Sequence, residues 1–126
     1  WRRRSKPKTS PRTPPPPSPP AAAAGGGDDA ACVCLVTVPN AETADGLSRA
    51  LVEGRVAACV NQIPGVTSVY LWEGEVRRDV ETLLVIKTVR SQVTAVAGVI
   101  KARHPYDVPE LVAMEVKGGV DQWSNS

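Results

Sequence analysis

Phenylalanine is absent from this chain, histidine and methionine occur once each, and three tryptophans and two tyrosines are the only aromatics. Proteins that read single-stranded RNA stack bases on exposed aromatic rings, so this composition argues against that role. With one histidine and no recognisable arrangement of nucleophile, base and orienting group, catalysis is not expected either. No apolar run approaches the ~20 residues of a membrane-spanning helix, so no membrane partner is expected. A glycine-rich phosphate loop is also missing. The three cysteines, Cys32, Cys34 and Cys59, are odd in number and sit in strand-like surroundings. They read as small apolar core residues ahead of a disulfide or metal cluster.

Acidic residues are missing from the whole of residues 1–27, which hold six basic side chains and eight of the twelve prolines. Of fifteen Lys and Arg, nine therefore face all thirteen Asp and Glu in residues 28–126, a net of −4. The overall charge of +2 hides an acidic body, which again argues against nucleic acid. Residues 1–30 bury too little apolar surface to order themselves. Their Arg, Ser/Thr and Pro content reads as the tail of an organelle transit peptide, with a flexible Pro-rich tail or a polyproline ligand as the alternative. Residues 31–126 form one modest domain.

From Ala31 the periodicities are legible. "ACVCLVTV" is a strand with Cys32, Cys34 and Val36 on one face and Val33 and Leu35 on the other. Asn40 is placed to cap a helix running to about Glu53, with Gly54 as its left-handed terminator. "VAACVNQ" and "VTSVYLWEGE" are strand separated by a type II turn at Pro64–Gly65. A connection over Gly74–Asp79 leads to the strand "DVETLLVIKTV". Ser91 caps a second helix that stops at His104–Pro105, because a residue before proline leaves the α region. "ELVAMEV" is a last strand, followed by a short C-terminal helical tail.

The order β-α-β-β-α-β is an α+β, ferredoxin-like arrangement: a four-stranded antiparallel sheet with two helices on one face. The helix-free face does not turn polar. Leu83, Val85 and Val89 face one way in the third strand while Leu84 and Ile86 face the other. Either copies of the sheet pack together, or the tail and loops cover that face within one chain. Acylphosphatase-type enzymes share the topology, but the Arg-bearing loop they place after the first strand has no counterpart in "TVPNAET".

"VTVPN", "RVAACVNQIPGVTSVYLWEGEV", "LLVIKT", "RHPYDVPELVAMEV" and the closing Trp123 together resemble the CutA divalent-cation-tolerance family, from about Ala31 to Trp123. The resemblance implies a homotrimer similar to the PII signalling proteins, and, in plants, organelle targeting to the chloroplast or alternatively the mitochondrion. It also implies binding of copper or another divalent cation. The family's proposed ligands fall on Val36, Arg103, His104 and Glu110; Val36 and Arg103 cannot ligate, and Cys34, two residues before Val36, is a candidate substitute. The metal candidates are therefore His104, Glu110 and Cys34. A PII-like signalling or scaffold module, holding a small ligand or a protein partner in clefts between subunits, is the alternative. Tyr70, Trp72, Glu73, Lys87 and Tyr106 are its candidate cleft residues, beside His104 and Glu110. Lys87 interrupts an apolar strand face and calls for either an anionic ligand or a salt bridge, with Glu73 or Glu110 as partner. Trp72 reads as interface core ahead of a ligand platform.

Overall fold

A computed structural model describes residues 29–106 and 109–119. The Pro/Arg-rich segment up to residue 28, Asp107, Val108 and the expected helical tail from residue 120, with Trp123, lie outside the described residues. The elements are β1 (Ala31–Val38), α1 (Ala41–Glu53), β2 (Cys59–Trp72), β3 (Glu75–Val89), α2 (Val93–Arg103) and β4 (Val112–Glu115). The strands form one antiparallel sheet in the order β2-β3-β1-β4. This is the expected ferredoxin-like α+β fold.

Strict alternation along β1 sends Cys32, Cys34, Val36 and Val38 to the helix side, where none is more than 3% exposed. Cys34, Val36 and Val38 meet Leu84 and Ile86 from β3, Ala44, Leu47 and Leu51 from α1, and Val96 and Ile100 from α2 in one core cluster. Both helices therefore cover the same face. Asn40 starts α1 as expected, its side chain accepting from the Thr43 amide at 2.7 Å. The helix ends at Glu53 as expected, but its left-handed terminator is not the glycine. Gly54 stays right-handed (φ −76), and Arg55 takes the left-handed conformation (φ 58), at a cost of about 1 kcal/mol. Val56 and Ala57 both donate to the Leu51 carbonyl and tuck beneath the helix, so the chain reverses at Arg55.

Two expected turns take other forms. Pro64–Gly65 does not end a strand. It is a bulge within β2, between the pairs Ile63↔Leu83 and Val66↔Glu81, with Gly65 at φ 77. Proline, which lacks an amide donor, is tolerated there because β2 is an edge strand. The connection expected over Gly74–Asp79 shrinks to Glu73–Gly74, both at positive φ as a two-residue type I′ turn demands. Trp72 then pairs directly with Glu75, and the ladder continues through Leu71↔Val76 and Val69↔Arg78. Charged residues resembled a loop in the sequence because this end of the hairpin projects beyond the helices as a two-stranded arm, where charge is solvated.

A third departure concerns α2. Ser91 does not cap it with its own side chain. A single 3-10 turn, Arg90–Gln92, precedes the helix, and the Ser91 amide (2.9 Å) and hydroxyl both donate to the Asp29 carboxylate, 62 residues earlier. Those bonds, the hydroxyl's first, and nearby Arg90 hold the Asp29 carboxyl below its usual range against a smaller opposing effect of desolvation. A carboxyl whose folded pKa is depressed adds stability above its unfolded value of about 3.9 and loses it as pH falls through the lower folded value. Asp29→Asn is expected to be less stable than the parent at neutral pH. The difference should vanish in acid below that window, as paired denaturation curves across pH will report.

Candidate functional site

The joint between α2 and β4 is built around His104. Pro105 forces its backbone out of the helix, to φ −71 and ψ 139, and the ring turns inward until 1% of the residue is exposed. One ring nitrogen, Nε2, lies 2.9 Å from the Thr37 carbonyl on β1. The other, Nδ1, accepts from the Tyr106 amide at 3.1 Å. A carbonyl can only accept and an amide N–H can only donate, so the network assigns the ring its neutral form with the proton on Nε2. The Tyr106 ring stands 4.9 Å from the imidazole, tilted by 46°, and its hydroxyl donates to Glu81 Oε2 at 3.4 Å. Thr37, His104, Tyr106 and Glu81 thus connect β1, the end of α2 and β3. Glu81 is only 2% exposed and was not singled out from the sequence. The signal available in the sequence was an acid directly preceding the apolar run "TLLVI".

Cys34 lies apart from this cluster, in the apolar core. Cys34 is fully buried among the helices' apolar side chains, and burial first, then neighbouring Cys32, pushes its thiol pKa up. Glu110 is half-buried just before β4. Among the described residues, no group of three His, Cys, Asp or Glu side chains is positioned to hold a metal ion. The set His104, Glu110 and Cys34 therefore does not fit a cation within one chain. Val36 fills the core and Arg103 ends α2.

The cleft candidates are divided among three regions. Tyr106 packs on His104, whereas Tyr70, Trp72 and Glu73 belong to the hairpin arm, with the Tyr70 hydroxyl donating to Asp79. Lys87 sits on the inner half of β3, flanked across the sheet by Cys59 and Val33. From Cys59 to Trp72 the strand spans on the order of 40 Å, so a Lys87–Glu73 salt bridge within one chain is ruled out. Among the described residues Lys87 forms no salt bridge, with Glu110 or any other acid.

Two apolar surfaces remain uncovered. On the helix-free face, rows across the sheet run Ile63–Leu83–Thr37, Asn61–Val85–Leu35–Val112 and Cys59–Lys87–Val33–Met114. On the arm, Val69, Leu71, Val76 and Val80 share the opposite face and are 59%, 61%, 70% and 69% exposed. Contiguous apolar surface of this kind marks an interaction site.

The CutA1 divalent ion tolerance protein family model matches residues 32–125. The chain is 49% identical over 87 residues to the chloroplastic protein CutA 1 of Oryza sativa subsp. japonica, covering 69% of this chain and 49% of that protein. It is 46% identical over 91 residues to the chloroplastic protein CutA of Arabidopsis thaliana, covering 72% and 50%. The chain thus spans about half the length of these plant relatives. The crystal structure of CutA1 from Oryza sativa superposes with a TM-score of 0.75 at 44% identity, covering 77% of this chain and 92% of that one.

Proposed function

The chain belongs to the CutA1 divalent ion tolerance protein family, and on that premise we propose that it acts as a homotrimer that binds divalent cations, copper among them. The observation that carries the assembly is the apolar surface left on both sides of the sheet. Val33, Leu35, Leu83 and Val85 crowd the helix-free face, and Val69, Leu71, Val76 and Val80 line the arm. Burying each such side chain fully is worth about 1.5–3 kcal/mol. Identical neighbours supply the covering surface at no cost in specificity, since every copy carries both patches. Cation binding rests on family membership and is given no ligand set, because the residues carried over by resemblance do not fit one. Location in the chloroplast, or alternatively the mitochondrion, follows the names of the plant relatives and the composition of residues 1–30.

A second reading, a PII-like module holding a small anionic ligand between subunits, draws on Lys87. Its ammonium interrupts the face proposed to be buried and has no salt-bridge partner among the described residues, and a buried cation requires a counter-charge.

Light scattering of the full chain is expected to return three times the 13.3 kDa of one copy. Calorimetric titration with copper(II) is expected to show saturable binding. A folded single chain at dilute concentration removes the assembly, and an absence of heat with copper and every other divalent cation removes the binding role.

A further inference from the structure

We infer that the only histidine of this protein is a neutral structural pin and that no cation bound by the protein is held by its imidazole. A metal takes the lone pair of a ring nitrogen, and both nitrogens of His104 are already committed. Nδ1 receives the Tyr106 amide at 3.1 Å, and Nε2 carries the proton given to the Thr37 carbonyl at 2.9 Å. Ligation through Nδ1 displaces the Tyr106 amide. Ligation through Nε2 moves the ring proton to Nδ1, where it meets the Tyr106 N–H head on, and leaves the Thr37 carbonyl without its donor. The ring is also 1% exposed, so an ion reaches it only if the joint opens.

The surroundings agree. Arg103 stands beside His104 and Val36 lies in the core; neither side chain can ligate. Cys34 faces the helices and is fully buried among apolar side chains. Among the described residues of this joint, a set of hydrogen bonds fixes how the chain leaves α2. The His104 amide closes the last helical turn on Ile100 (2.8 Å), the imidazole ties that end to β1, and Tyr106 extends the tie to Glu81 on β3. Every polar group of the residue that these bonds use serves position.

A single histidine makes the test unambiguous. The full chain, labelled with nitrogen-15 histidine, gives the signals of one imidazole. Nitrogen-detected spectra are expected to show a bare Nδ1 and a protonated Nε2, unchanged when zinc(II) is added in excess. Pulsed electron paramagnetic resonance of the copper(II)-loaded protein is expected to lack the modulation of a remote imidazole nitrogen. A zinc-induced shift of either ring nitrogen, or that modulation with copper, overturns the inference. The inference does not rest on the assembly or on cation binding. A protein that binds no copper at all defeats the function proposed above and leaves the pin standing. Imidazole modulation does the reverse.

Discussion

Val85→Asp is expected to convert the homotrimer proposed above into folded single chains. Val85 lies in the middle of the helix-free face, with Asn61 on one side and Leu35, then Val112, on the other. It points away from the core, which takes Leu84 and Ile86 from the same strand. In an isolated chain the new carboxylate is solvated, so the fold survives. Against a second copy it is a buried charge without a partner, which costs about 4 kcal/mol, close to a thousandfold in association. Light scattering should then report one-third of the parent's mass while far-ultraviolet circular dichroism stays unchanged. An unaltered mass would mean that copies do not meet through this face.

His104→Ala is expected to remove about 3–5 kcal/mol of stability. The change leaves a cavity the size of an imidazole in a site only 1% exposed, and emptied core sites of that size cost about 2–5 kcal/mol. It also strips the Thr37 carbonyl and the Tyr106 amide of their partners, each about 1–3 kcal/mol when buried and unsatisfied. Partial collapse and water entry keep these from adding in full. Small proteins have about 5–15 kcal/mol in total, so the loss should be obvious in chemical denaturation. The comparison must be made at one protein concentration, because the proposed assembly would make apparent stability depend on it. A loss below about 1 kcal/mol would show that the ring is not a pin.

These two residues also illustrate how much could be read in advance. Alternation in "ACVCLVTV" assigned Cys32, Cys34 and Val36 to one face, and they are buried there. Asn40 and His104–Pro105 marked helix ends that the fold keeps. These features are local: a two-residue period, a short side chain at a helix start, and a ring that excludes the helical conformation before it. The hairpin was recognised but placed wrongly at its tip, because "GEVRRD" carries the charge of a loop while its backbone has the register of a strand. Glu81 escaped notice because burial of an acid depends on Tyr106, 25 residues away.

Local chemistry along the chain was therefore enough to determine the order of elements, the excess of apolar surface on both faces of the sheet and the family. Only the folded arrangement decided what the chemistry-bearing side chains do. Asp29 became the cap of a helix 62 residues later, Lys87 was parted from Glu73 by the length of a strand, and Cys34 was buried in the apolar core. His104 met the Thr37 carbonyl across 67 residues of sequence. Periodicity reflects neighbours one or two turns away, whereas a hydrogen-bond partner is chosen by the closure of the whole chain. A histidine that looks like a ligand in a motif therefore shows its protonation state, and with it its role, only in the tertiary structure.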